Sequence, residues 1–149
     1  MIKQDEEFIE RNDYTFVITI SSEHIAIFAE VIGEYDPVYR CKMEAMKRGL
    51  RNVPIPATYP FYLETVGIPQ FEKLCKTNRI DPSMLVHAEQ EYQYHGDMFA
   101  EDTITCIPTI VFKTIREMEK RCIVKIEYFN QFEEHVLSSR STFITKIRI

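Results

Sequence analysis

The spacing of apolar residues divides this chain into an early helical part and a later strand-rich part. Residues 14–20 are rich in β-branched and aromatic side chains, which predicts a strand. Ser21 or Ser22 can then cap a helix that ends at Gly33. Four apolar residues recur at helical spacing on one face of that helix: Ile25, Phe28, Ala29 and Ile32.

Two further helices are predicted before the strands begin. A short one covers about 42–48 and stops at Gly49. Residues 53–60 contain three prolines, so they read as an extended segment that leads into a third helix ending near Gly67. Thr58 is placed to cap this helix, and a proline follows in its first turn.

The second half of the chain changes from helical spacing to alternation. Apolar side chains occupy every second position from Cys122 to Tyr128, as in a half-buried antiparallel strand. Pro108 inside a strand indicates an edge or a bulge. The predicted strands lie at about 84–95, 103–114, 121–132 and 138–148. The fold class is therefore α+β, with an antiparallel sheet covering a helix.

The length, net charge and cysteine content of the chain exclude several classes of function. A chain of 149 residues predicts one domain over 1–149. A net charge of −5 argues against nucleic-acid binding. No apolar run is long enough for a membrane span, and the acidic N-terminus is not a signal peptide, which predicts a cytoplasmic protein. The four cysteines form no CxxC pair and have no histidine at zinc-ligand spacing, so we expect reduced thiols and no metal.

Three segments resemble one known family. Residues 85–95 read Leu-Val-His-Ala-Glu-Gln-Glu-Tyr-Gln-Tyr-His, and Ala-Glu-Asp-Thr follows at 100–103. Residues 55–60 read Ile-Pro-Ala-Thr-Tyr-Pro, and residues 138–144 read Ser-Ser-Arg-Ser-Thr-Phe-Ile. All of them resemble the MaoC-like dehydratase family, N-terminal type, of fatty-acid-synthase dehydratases. The resemblance spans nearly the whole chain.

The resemblance implies a hot-dog fold, in which an antiparallel sheet wraps a central helix and two subunits join into one continuous sheet. It implies (R)-3-hydroxyacyl-thioester dehydratase or enoyl-thioester hydratase chemistry, a lyase activity of fatty-acid metabolism. The ligand would be an acyl thioester of coenzyme A or of acyl carrier protein at a dimer interface. No cofactor is expected.

The catalytic motif of these hydratases is altered in this chain. The motif reads Asp-x-Asn-Pro-x-His, and placing Pro37 on its proline puts Glu34 on Asp, Asp36 on Asn and Tyr39 on His. Tyrosine has a pKa of about 10 and histidine of about 6.5, a gap of about 5 kcal/mol against proton abstraction at neutral pH. Tyr39 is thus a poor base, although it can donate a hydrogen bond, and Glu34 can serve as the base if desolvation raises its pKa. Glu34 and Tyr39 are therefore the candidate catalytic residues. In the alternative interpretation Glu34 is solvated, Tyr39 packs and Asp36 forms the turn before the proline.

Other positions are candidates for substrate binding. The backbone amides of Thr58 and Tyr59 begin the central helix and can hold a thioester oxygen, although Thr58 can also be only a cap. His95 ends a strand, where it can reach the ligand at a dimer interface or serve a structural hydrogen bond. A basic cluster can attract phosphates or an acidic carrier protein, or be a solvated face. It comprises Lys42, Lys47, Arg48 and Arg51.

Three functions follow from these observations. The first is a dehydratase or hydratase with a degraded Asp/His pair. The second is a non-catalytic acyl-binding subunit that forms a homodimer or a heterodimer with another hot-dog subunit, where a heterodimer partner supplies the pair. The third is a hot-dog thioesterase in which Glu64 activates water.

Overall fold

A computed structural model describes residues 6–10, 15–67, 72, 75, 76, 79–115 and 119–146 of the chain. The helices are α1 (Ser22–Val31), α2 (Lys42–Lys47) and α3 (Tyr59–Gly67). The strands are β1 (Glu6–Glu10), β2 (Phe16–Thr19), β3 (Val86–Tyr94), β4 (Thr103–Ile115), β5 (Glu119–Phe129) and β6 (His135–Lys146).

All the strand pairings are antiparallel, and they form one sheet in the order β1–β4–β5–β6–β3. Strand β2 also pairs with β4, so β1 and β2 share one side of that strand. β3 lies at the opposite margin, and within the described ranges no strand pairs with its outer edge. This edge strand contains the segment that carries the family resemblance.

Helix α3 packs on the inner face of the sheet. Its Tyr59 and Leu63 are buried in one apolar cluster with side chains of β4 and β5, including Ile110 and Ile126. Ile25 of α1 belongs to the same cluster. Full burial of each such side chain contributes about 1.5–3 kcal/mol, so the sheet, α3 and α1 form one core.

The predicted helix ends are confirmed. The Ser21 hydroxyl accepts the His24 amide N–H at 3.3 Å at the start of α1. Gly33 has φ +76° and Gly49 has φ +81°, values that favour glycine over residues with a β-carbon. Ile32 is 49% exposed, so the predicted apolar face stops short of it because the helix has already ended.

Two features of the sheet differ from or refine the sequence expectations. The short strand β1 was not predicted, because Glu6–Glu10 is mostly acidic and shows no clear alternation. Pairing with residues 110–114 of β4 defines it instead. Among the described residues, Pro108 has no strand partner on one side of β4, since β2 pairs with 103–106 and β1 with 110–114. The predicted strand ends at Tyr14 and at 147–148 lie outside the described residues.

The structure describes the four cysteines and the lengths of the helices. All four cysteines are free, as predicted. Cys75, Cys106 and Cys122 are buried, and Cys41 is exposed. Among the described residues, no helix has the length and apolar character needed to cross a bilayer.

An ion pair between the partly exposed Arg51 and the buried Asp102 holds the segment that leads into α3. Arg51 donates to both carboxylate oxygens of Asp102, at 2.6 and 2.7 Å, and Asp102 is 1% exposed. Gln131 Nε2 and the Phe99 amide also donate to Asp102, at 3.0 and 2.9 Å. Burial alone would raise the pKa of Asp102, but these hydrogen bonds outweigh it and hold the pKa below its usual value.

We expect Asp102→Ala to lower the free energy of unfolding by about 2–4 kcal/mol, because Arg51 and the Phe99 amide lose their shared acceptor. Urea unfolding at pH 7 measures this loss. Asp97→Ala, an exposed change in the same turn, is the control and is expected to cost less than about 0.5 kcal/mol.

The pH dependence of stability provides a second test of the role of Asp102. A carboxylate whose folded pKa is depressed stabilises the fold above its unfolded pKa of about 3.9 and loses that contribution as the pH falls through the folded value. The difference between wild type and Asp102→Ala is therefore constant from pH 5 to pH 7 and shrinks in more acidic solution. A difference that grows on acidification would contradict the assignment.

Candidate functional site

The altered motif forms a compact turn directly after α1. The Glu34 amide donates to the Ala29 carbonyl at 2.8 Å, which folds the chain back onto the end of the helix. Residues 37–39 form a single 3-10 turn that Asp36 caps by accepting the Val38 amide at 2.9 Å. The positions that align with the catalytic motif therefore lie together in one ordered loop.

Asp36 holds this loop to α2. Arg48 Nη1 and Nη2 donate to its two carboxylate oxygens at 2.8 and 2.7 Å. The hydrogen bonds from Arg48, with that from the Val38 amide, hold the pKa of Asp36 below its usual value. Both oxygens of Asp36 thus already have protein donors, which agrees with a turn-forming role.

Glu34 and Tyr39 complete the motif positions. Glu34 Oε1 accepts the Asp36 amide N–H at 3.1 Å. Tyr39 is half-buried against the main core. Burial, and then the charges of Glu34 and Asp36, raise the pKa of Tyr39 above its usual value. The phenol is therefore protonated at neutral pH and is available as a hydrogen-bond donor.

The start of α3 offers fewer free amides than the sequence indicates. The Tyr59 amide donates to the Pro56 carbonyl at 3.0 Å, and Pro60 has no N–H. The Phe61 amide donates to the Thr58 carbonyl at 3.3 Å. Within the described part of the chain, the amide of Thr58 has no backbone acceptor, so it is the better placed of the two predicted donors.

Helices α1 and α3 contact each other through two pairs of aromatic rings. Phe28, near the end of α1, meets Tyr59 at the start of α3 with ring centroids 5.4 Å apart. His24, near the start of α1, meets Tyr62 further along α3 at 5.8 Å. The loop that begins at Glu34 and the start of α3 therefore lie at the same end of the helix pair.

His95 lies on the other face of the sheet. Ser139 points inward and donates to Glu64 of α3 at 2.6 Å, so its neighbour Ser138 points outward. The Nε2 atom of His95 lies 3.1 Å from Ser138 Oγ, which in turn donates to Glu127 at 2.5 Å. Within this chain, the structure does not bring His95 together with the start of α3.

The predicted basic cluster is mostly paired. Lys47 binds Glu44 at 3.0 Å, while Arg48 and Arg51 bind Asp36 and Asp102 as described above. Lys42 is exposed. Most of these charges therefore serve the loop and the approach to α3. Among the residues that the structure describes, no group of three or more His, Cys, Asp or Glu is arranged to hold a metal ion.

A buried polar cluster joins α3 to the sheet. Glu64 is 7% exposed and its carboxylate accepts hydrogen bonds from Tyr128 at 2.7 Å, Ser139 at 2.6 Å and Ser141 at 2.9 Å. Burial, together with the Glu64 charge, raises the pKa of Tyr128 far above its usual value, so the phenol is a donor. The sequence pattern did not predict the three hydroxyl groups that donate to Glu64. Their signal was a pair of serines at inward positions of β6 beside a carboxylate on a helix.

One family of sequences covers most of this chain. The family described as "FAS1-like, dehydratase domain region" matches residues 10–139. This chain belongs to that family. A relative named "UPF0336 protein" from Thermobifida fusca (strain YX) is 27% identical over 119 residues, which are 80% of this chain and 78% of the relative.

Solved structures share the fold of this chain. One is the HadBC (3R-hydroxyacyl-ACP dehydratase) complex of Mycobacterium tuberculosis, with a TM-score of 0.64 and 15% identity over 94% of this chain and 96% of that one. Another is a MaoC-like dehydratase, with a TM-score of 0.70 and 14% identity over 91% of this chain and 42% of that one. The predicted MaoC-like family resemblance and hot-dog fold are confirmed.

We expect Tyr128→Phe to lower the free energy of unfolding by about 1–3 kcal/mol, because the buried Glu64 carboxylate loses one of three donors. Urea unfolding of the purified chain measures the change. Tyr35→Phe removes a hydroxyl from a tyrosine that is 71% exposed, and as the control it is expected to leave stability unchanged. Equal effects of the two changes would show that the cluster does not anchor α3.

Proposed function

We propose that this member of the FAS1-like family is the acyl-thioester-binding subunit of a (R)-3-hydroxyacyl-thioester dehydratase whose acid–base pair is supplied by a second hot-dog subunit. The observation that carries the proposal is Tyr39. It stands at the histidine position of the motif, and its pKa is raised rather than lowered.

The residue at position 39 decides whether this chain can catalyse dehydration without a partner. Dehydration needs a base for the C2 proton, an acid for the leaving hydroxyl and donors for the thioester oxygen. A protonated Tyr39 is a weak acid and is not a base at neutral pH. Asp36 is engaged by Arg48 and cannot replace the missing histidine. Glu34 retains a carboxylate, but one carboxylate does not complete the acid–base pair, and we propose that it transfers no proton.

The chain has groups that can bind a thioester, but its acid–base pair is incomplete. We propose that the Thr58 amide, at the positive end of α3, holds the thioester oxygen. Tyr59, Asp36 and Tyr39 shape the same end of the pocket, while His95 contacts the ligand only if a partner's site reaches the outer face. The thioesterase alternative gains no support, because the Glu64 carboxylate is directed at three internal hydroxyls.

The free edge of β3 supports a two-subunit assembly. An unpaired edge is a template for another strand, and joining two such edges makes one continuous sheet. Val86 is 64% exposed at the start of this strand and Tyr94 is 43% exposed at its end. The similar HadBC dehydratase is itself a complex of hot-dog subunits. The carrier of the acyl group and the cytoplasmic location remain predictions.

The proposal predicts that the purified chain does not hydrate crotonyl-CoA above background by itself. Activity is expected when it is co-purified with the hot-dog subunit from the same genome that carries Asp-x-Asn-Pro-x-His. In that complex, Glu34→Gln and Tyr39→Phe are expected to change turnover less than about threefold, because neither group transfers the proton. Absorbance loss of the enoyl thioester measures the rate.

A matched change in the partner completes the test. Replacing the partner's motif histidine with alanine should abolish turnover of the complex. Hydration by the chain alone that is lost in Glu34→Gln would instead identify an independent dehydratase and would overturn the subunit proposal.

A further inference from the structure

A narrow apolar groove runs between α1 and α3. Its volume is about 230 Å³. Five side chains line it: His24, Ile27, Phe28, Val31 and Tyr62. Ile27 is 54% exposed and Val31 is 79% exposed, although both are aliphatic. The groove therefore keeps apolar surface in contact with water in the isolated chain.

The groove arises from a second apolar stripe on α1. Ile25 and Ala29 form the stripe that faces the core, and both are fully buried. His24, Ile27, Phe28 and Val31 recur at the spacing i, i+3, i+4, i+7 and form a neighbouring stripe. Phe28 packs partly against the core, whereas Ile27 and Val31 stay exposed. A helix with two such stripes has more apolar surface than its own fold uses, which is typical of a binding surface.

The direction of the groove connects it to the candidate site. Because Phe28 meets Tyr59 at the start of α3, the Val31 end of the groove is the end near the loop of Glu34 and the start of α3. The other end is formed by His24 and Tyr62, whose Nδ1 and hydroxyl oxygen are 3.4 Å apart. A thioester held at the start of α3 thus has an apolar path leading away from it and a polar pair at the far end.

We propose that this groove binds the acyl chain and limits its length to about eight carbons, an inference that rests on the proposed function. From Val31 to His24 the helix rises about 10 Å, close to the length of such a chain. At about 30 Å³ for each water-sized group, the volume holds about eight of them. A helix of a partner protein is about 10 Å across and does not fit a cleft of this volume.

The test measures how affinity depends on chain length. Acyl-pantetheine thioesters carry the arm shared by coenzyme A and carrier protein, and the series runs from acetyl to dodecanoyl. Isothermal titration calorimetry on the full chain is expected to show about a fourfold gain for each added methylene, ending near the octanoyl compound. Ile27→Trp and Val31→Trp fill the groove at exposed positions, and each should end the gain near the butanoyl compound.

Met43→Trp is the matched control, since Met43 is 69% exposed on α2 and does not line the groove. It should reproduce the wild-type series. If affinity rises with length and the groove variants behave like wild type, the groove assignment fails while the proposed function stands. If no thioester binds at any length, both fail. If the groove variants change only the oligomeric state in sedimentation, the groove is a subunit interface and the inference is overturned.

Discussion

The fixed position of α3 on the sheet is the constraint on which the rest of the structure depends. Tyr59 and Leu63 bury the apolar side of the helix, but apolar contacts alone permit rotation and sliding. The carboxylate of Glu64, held by hydroxyls from β5 and β6, adds directional contacts that define one arrangement. Desolvating a carboxylate is costly, and three donors offset much of that cost.

Once α3 is placed, the remaining parts of the candidate site follow from it. The strand-like segment before the helix is held along residues 98–102 by backbone bonds and by the Arg51–Asp102 pair. Packing of Phe28 on Tyr59 aligns α1 against α3, and Gly33 then turns the chain into the loop of Glu34. The loop of Glu34 and the start of α3 therefore lie close to one another.

Much of this architecture was predictable because it depends on local chemistry. Gly33 and Gly49 end helices through backbone freedom, Ser21 caps through its hydroxyl, and the alternation from Cys122 to Tyr128 follows from a half-buried strand. These signals need only a few neighbouring residues. The family resemblance supplied the hot-dog topology, which local patterns allowed without specifying it.

The unpredicted features all depend on contacts between distant segments. Strand β1 is acidic and is defined by its pairing with β4 about a hundred residues later. Arg51 and Asp102 are 51 positions apart, and Glu64 and Ser141 are 77 apart. At the candidate site, the motif positions were found by alignment to the family. The hydrogen bonds from Arg48 to Asp36 and the outward direction of His95 join separate segments, so only the three-dimensional structure shows them.

The acidic face of β3 has a consequence for the chain before it meets a partner. Glu89 and Glu91 are exposed on the strand whose edge is free within the described residues. Two copies brought together along such edges place like charges near one another, and that repulsion discourages open-ended sheet growth. The exposed charges of this strand therefore oppose edge-to-edge association of unpaired copies.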